Sequence, residues 1–244
     1  MENRSKKDNL AAIDSIFSIF LKNIGHSTIM PVAIIVPCWN EEKHLEKTLK
    51  RIRACSSDWT IIVSDDGSTD RSVSLAKEHA DVVVEHAHEG KGSTARRGCD
   101  LAIEKGFTQL VLIDADGQHD PEDISRLLKK LKRKDIVLTY RVGGEQPVVF
   151  RIGNWGLNFG TWLLFGKWIK DTQSGFRAFT SKAYEQIRWK ATQYDMESEM
   201  IARIKNLSYD QIPIKKVYLD NTKGTTVSSG LRIAWKLFLL RLRL

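Results

Sequence analysis

Residues 110–121 read Leu-Val-Leu-Ile-Asp-Ala-Asp-Gly-Gln-His-Asp-Pro. The apolar run Leu110–Ile113 has the character of a strand buried on both faces, as in a parallel sheet. It stops at Asp114, Ala115 and Asp116, two carboxylates one residue apart. Such a pair repels unless a cation or a proton sits between its members. Hard oxygen ligands suit Mg²⁺ or Mn²⁺, ions that share their coordination with water and substrate phosphates. A plainer reading makes Asp116-Gly117 a turn and Asp120-Pro121 the start of a helix. The rest of the chain has to separate the two.

Working outward, the same pattern recurs on both sides. Val32–Val36 reads as a first strand stopped by Pro37, and Trp59–Ser64 as a second, ending in Asp65-Asp66-Gly67-Ser68-Thr69-Asp70. Val82–Glu85 is a third and Ile136–Tyr140 follows the 110–113 strand. Helical periodicity fills the gaps over 41–54, 71–79, 91–105 and the stretch after Pro121. Strands alternating with helices predict a doubly wound α/β sheet. Ligands of such sheets bind beyond the carboxyl ends of the strands. The polar clusters at 37–41, 65–70 and 114–118 all fall there, which predicts one cleft.

Beyond Arg141 the composition changes. Residues 154–169 are rich in Trp, Phe and Leu with interrupting glycines, read as a core helix pair or as an aromatic surface at a bilayer interface. Gly175–Phe179 reads as a returning strand, 195–204 as a helix and Tyr209–Leu219 as a strand. Residues 10–24 and 230–244 have amphipathic helical spacing, the second with Arg232, Lys236, Arg241 and Arg243. These ends divide the chain into a segment 1–30, a catalytic domain 31–225 and a basic, membrane-proximal helix 226–244.

At 244 residues the chain can bury one sizeable core or two small ones. Its net charge of +8 is compatible with phosphorylated ligands, an anionic membrane or nucleic acid, but no basic-aromatic module points to nucleic acid. Three cysteines, Cys38, Cys55 and Cys99, lack metal-type spacing and predict a reducing, cytoplasmic setting. No run reaches the ~18–20 apolar residues of a membrane span.

The clusters resemble those of the family 2 glycosyltransferases with a GT-A domain, in the branch of the dolichyl-phosphate mannose synthases. Pro37-Cys38-Trp39-Asn40-Glu41-Glu42 resembles P-x-Y-N-E-E with Trp for Tyr, and residues 65–70 resemble D-D-G-S-x-D. Gly90-Lys91-Gly92, with Ala95-Arg96-Arg97-Gly98, resembles the glycine-rich segment. Residues 114–119 resemble D-A-D-x-Q-H, and Asp171–Arg177 resembles D-x-x-S-G-F-R. The likeness covers about residues 32–220.

This resemblance implies a mixed, mainly parallel GT-A sheet and transfer of a hexose from a nucleoside diphosphate. It places Pro37, Asn40, Glu41, Asp65, Asp66, Lys91, Asp114, Ala115 and Asp116 around the donor. Asp114, Asp116 and Gln118 would hold Mg²⁺ or Mn²⁺ against the diphosphate, and His119 reads as a structural hydrogen-bonder. Arg141, Arg151, Ser174 and Arg177 would meet the acceptor, with Asp116, Arg141 and Arg151 the catalytic set. A polyprenyl phosphate needs cationic positioning rather than a base, because its second pKa is about 6; arginine grips phosphate with two donors. A saccharide hydroxyl would need a base, for which Asp195, Glu197 and Glu199 are candidates, although Glu197 and Glu199 also read as ordinary helix-surface residues. For Arg177 the plain alternative is an ion pair with Asp171. The resulting expectation is an inverting, metal-dependent transferase that moves a hexose from a donor of the GDP-mannose or UDP-glucose type to polyprenyl or dolichyl phosphate, working peripherally at the cytoplasmic membrane face. Its rivals are a soluble relative acting on a saccharide and a non-catalytic nucleotide- or membrane-binding scaffold.

Overall fold

The computed structural model of the chain describes residues 31–143, 148–215 and 241; within 148–165 the side chains of 148–155 and 157 fall outside that description. The expected terminal segments 1–30 and 226–244 therefore lie outside the described residues, apart from Arg241.

The strands are β1 (Val32–Cys38), β2 (Thr60–Asp65), β3 (Val82–Glu85), β4 (Gln109–Leu112), β5 (Ile136–Val142), β6 (Arg177–Thr180) and β7 (Tyr209–Lys215). Between them run α1 (Leu45–Cys55), α2 (Ser72–His79), α3 (Lys91–Glu104), α4 (Asp123–Leu131), α5 (Val148–Phe165), α6 (Ser181–Ile187) and α7 (Met196–Ala202). The sheet order is β3-β2-β1-β4-β6-β5-β7. All pairings are parallel except those of β6 with β4 and with β5.

Two features of this order position the site. The chain moves outward from β1 through β2 to β3, then returns to place β4 on the other flank of β1. A crevice opens at such a switch point, outside the carboxyl ends of the two strands. Strand β6 runs against β4, pairing Arg177 with Leu112, so the residues preceding β6 fold over the end of β4 where Asp114 begins.

Strand β1 extends through Pro37 rather than stopping before it. Proline lacks a ladder donor and is confined to positions where none is needed. Here β4 pairs with β1 only as far as Ile35, so Pro37 keeps only β2 as a neighbour, opposite Ser64. Residues 148–165 form one helix, not a pair, and Asn158 Nδ2 ties it to the Lys170 carbonyl at 2.7 Å.

The core lies on both faces of the sheet. On one, Ile34, Val36, Ile61, Val63 and Val111 meet Leu45, Leu49 and Ile52 of α1 and Ile124, Leu127 and Leu131 of α4. These helix residues recur every three or four positions and form the apolar stripe a covering helix needs. On the other face α3 lies on β1 and β2, where Gly98 makes close approach possible. A Cβ at Gly98 would stand 2.7 Å from Ile35 Cγ2 and 3.4 Å from Ser64 Cβ. Replacing Gly98 with valine forces the helix off the sheet and is expected to cost about 3 kcal/mol, the upper range of overpacking; urea unfolding measures it.

Candidate active site

The loops after β1 and β2 are laced together. Asn40, in the left-handed region at φ 53°, accepts the Thr69 N–H on Oδ1 at 2.8 Å and gives its own N–H to Ser68 Oγ. Asp65 accepts the Ser68 N–H at 2.8 Å and the Ser68 hydroxyl at 2.6 Å. Asp66 is buried; it accepts the N–H groups of Glu89 and Gly90 at 2.8 and 2.9 Å and lies 2.9 Å from His88 Nδ1. Asp66 thus anchors the 86–90 loop from beneath. Glu41 gives its N–H to Ser72 Oγ, and Pro37 is half-buried at the end of β1. Trp39 is exposed, and His88 lies against its ring with centroids 4.5 Å apart. Sequence reading missed this aromatic pair because its partners come from loops 49 residues apart.

The acidic pair begins directly beyond β4. Asp114 Oδ1 accepts from Lys91 Nζ at 2.9 Å, and Oδ2 stands 3.7 Å from His119 Nε2. Burial alone would raise its carboxyl pKa, but Lys91 and His119 outweigh that and hold it well below the usual carboxylate range. Asp116 goes the other way: burial and then the Asp114 charge raise it. Its Oδ1 accepts the backbone N–H of Gln118 at 3.0 Å. His119 is buried against the Phe176 ring, with its Nδ1 lacking a hydrogen-bond partner. Gly175 lies over this carboxylate: a Cβ there would come 2.6 Å from Asp114 Oδ2. The glycine of the 171–177 motif therefore leaves room for the aspartate of the 114–119 motif.

The glycines at 90 and 92 let the chain at 191–193 come close, since a Cβ at either would strike it. The Thr192 carbonyl accepts the Gly92 N–H at 2.9 Å and Trp189 Nε1 donates to the Gly92 carbonyl at 2.8 Å. Lys91, first residue of α3, is thereby aimed at the rim. Its Nζ also meets Glu197 Oε1 at 3.2 Å and lies 5.6 Å from the Tyr194 ring centre. Burial would lower its pKa, but the carboxylates of Asp114 and Glu197 prevail and raise it, so it is an ammonium.

On the acceptor side several expectations change. Arg141, at the carboxyl end of β5, makes a two-pronged pair with Asp171: Nε to Oδ2 at 2.5 Å and an Nη to Oδ1 at 2.9 Å. Arg177 is not the partner of Asp171 and does not face an acceptor. It is 1% exposed and donates to the carbonyls of Ser174, Glu197 and Thr172. Ser174 is buried too, its hydroxyl 2.6 Å from Thr139 Oγ1. Both are internal ties because β6 and α7 close over them. Glu197 and Glu199 are likewise buried rather than surface residues. Glu199 accepts the N–H groups of Lys190 and Ala191 and pairs with Arg203. Arg151 belongs to α5, but its side chain lies outside the described residues.

The donor set fits a hard divalent ion. Asp114 and Asp116 are carboxylates one residue apart beyond β4, and the Asp116 pKa is raised first by burial and then by the Asp114 charge, the second of which a cation would relieve. Among the described residues no three metal-type side chains converge, so phosphate and water oxygens would complete the shell, the usual manner of Mg²⁺. Asp114 also sets a pH signature. With a depressed folded pKa, its contribution to stability is complete above the ordinary aspartate pKa of about 3.9 and drains away as pH falls below it. The difference in unfolding free energy between the wild type and Asp114→Asn is expected to shrink across that window; a pH-independent difference in urea titrations contradicts it.

An open, mostly parallel sheet carrying an acidic pair and a basic rim at its switch point is the GT-A design of nucleotide-sugar transferases. The sequence model of glycosyl transferase family 2 matches residues 33–188, and the chain belongs to that family. It is 30% identical to the UDP-N-acetylglucosamine–dolichyl-phosphate N-acetylglucosaminyltransferase of Methanococcus voltae, covering 86% of this chain and 96% of the relative. To the undecaprenyl-phosphate mannosyltransferase of Micrococcus luteus it is 27% identical, covering 82% and 88%. The backbone superposes with TM-score 0.71 on glucosyl-3-phosphoglycerate synthase of Mycobacterium tuberculosis, solved with Mn²⁺, UDP and glucosyl-3-phosphoglycerate. That match has 21% sequence identity and covers 87% of this chain and 80% of the other.

Proposed function

We propose that this glycosyltransferase moves a hexose from a nucleoside diphosphate, of the GDP-mannose or UDP-sugar type, to a polyprenyl phosphate, with inversion and with Mg²⁺ or Mn²⁺. One observation carries the reading: Asp114 and Asp116 beyond β4 and the Arg141–Asp171 pair beyond β5 occupy the same rim of the sheet. Only β6 lies between those strands, so the two groups stand roughly 10 Å apart by strand spacing. That span suits a sugar with a diphosphate at one end and an acceptor phosphate at the other.

Asp114 and Asp116 would hold the ion, which neutralises charge developing on the departing nucleoside diphosphate. Arg141 would position the acceptor phosphate, whose oxygen forms the new bond to the anomeric carbon as the bond to the diphosphate breaks and the diphosphate leaves with the electron pair. An already dianionic nucleophile needs no proton removed. Glu199 is fully engaged by N–H donors and Arg203, which counts against Glu199 as the base that a hydroxyl acceptor would need. Similarity to relatives named for dolichyl and undecaprenyl phosphate acceptors supports the phosphate acceptor. Exposed Phe159, Trp162, Leu163 and Trp168 form an aromatic surface suited to a bilayer interface at the cytoplasmic face. Among the described residues no helix is long and apolar enough to cross a membrane.

Radiolabelled sugar nucleotides incubated with polyprenyl phosphate, with and without Mn²⁺, test the reading. Label passing into the organic phase only with the ion is the expected result. Label appearing instead on a water-soluble saccharide would overturn it.

A further inference from the structure

Lys91 stands between two carboxylates, 2.9 Å from Asp114 Oδ1 and 3.2 Å from Glu197 Oε1. Glu197 is 2% exposed, and its second oxygen, Oε2, is buried without a hydrogen-bond partner. A buried, unsatisfied carboxylate oxygen is costly to keep. The ammonium meanwhile rests on the same carboxylate that would hold the divalent ion. Lysine suits two successive positions, because its compact head carries three donors on a flexible stem. The other cations near the rim lack that freedom. Arg177 is committed to three backbone carbonyls and Arg141 to Asp171.

We propose that Lys91 is a resident counter-ion for Asp114 that a divalent cation displaces, and that Glu197, through its unpartnered Oε2, is the berth to which the ammonium withdraws. The inference rests on the reading of Asp114 and Asp116 as the residues that hold the ion. Without an ion, Lys91 keeps the buried Asp114 carboxylate neutralised and the acidic pair together. When an ion takes Asp114, the ammonium is repelled and completes the coordination of Glu197. Glu197 then acts through Lys91: it is a positioning residue for metal loading.

Binding of Mn²⁺ to the full-length protein, followed by the electron paramagnetic resonance of the free ion with and without UDP, tests this apart from catalysis. Lys91→Met removes the competitor and is expected to tighten Mn²⁺ binding at least about fivefold, the lower end of ordinary site-to-site coupling. Glu197→Gln removes the berth and is expected to weaken it by a similar factor. In the Lys91→Met background, Glu197→Gln is expected to matter less than about twofold, since residues acting through one another are non-additive. Lys91→Arg keeps the charge but grips carboxylates with a rigid fork; it is expected to weaken Mn²⁺ binding about tenfold and serves if the methionine variant does not fold. Unchanged affinity in Lys91→Met and Lys91→Arg, or an equal Glu197→Gln effect in both backgrounds, overturns the inference. If the wild type binds no Mn²⁺, or Asp114→Asn leaves binding intact, the metal reading itself fails.

Discussion

Asp114→Asn is expected to reduce sugar transfer about a thousandfold while leaving the protein folded. The asparagine is nearly the same size, so Gly175 still clears it and the loop beyond β4 keeps its course. The charge facing Lys91 and His119 is lost, and with it one of two oxygens able to hold the ion. Removing a preorganised electrostatic contact to a developing anion costs a factor of about 100–1,000 in rate, and loss of the ion that makes the contact belongs at the upper end. The loss is expected in kcat and to resist saturation with donor. Steady-state kinetics over a Mn²⁺ series, with the thermal transition as a folding control, checks it. Transfer within tenfold of wild type would remove Asp114 from the chemistry.

Arg141→Ala is expected to have a double effect. Catalytically, kcat/KM for polyprenyl phosphate falls about a hundredfold while donor binding holds, because the charge-assisted contact that would position the acceptor phosphate disappears. Structurally, the variant strands Asp171, which is nearly buried and pairs with Arg141 through both oxygens. Removing one partner of a buried pair costs about 3–5 kcal/mol. The double variant Arg141→Ala/Asp171→Asn separates the two effects: urea unfolding is expected to show most of the stability restored, with acceptor use still impaired. Acceptor use recovering along with stability would mean that Arg141 serves the fold alone.

Much of the architecture was legible in the chain. The strands 32–38, 60–65 and 109–112 are buried on both faces, and continuous apolar runs are what such strands require. The helices over them show their stripes at 45, 49 and 52 and at 124, 127 and 131. The ends of elements were read less well. Pro37 has the local character of a strand stop, yet it continues β1 because its neighbour β4 is short, a fact no local window contains. What packs against the glycines at 90 and 92 was not legible, since the 191–193 segment arrives from 100 residues away.

The site divides along the same line. Position at the end of a strand is a local property, so the alternation of strands and helices was enough to put the clusters at 37–41, 65–70 and 114–118 on one rim of the sheet. Whether a charged side chain at that rim meets ligand or interior depends on what else folds over it. Only the tertiary structure buried Arg177 among carbonyls, gave Asp171 to Arg141, and brought Glu197 to Lys91 from 106 residues away. Burial and pairing of charges are set by the free-energy balance between desolvation and the partners that surrounding elements bring, and those partners are distant in the chain.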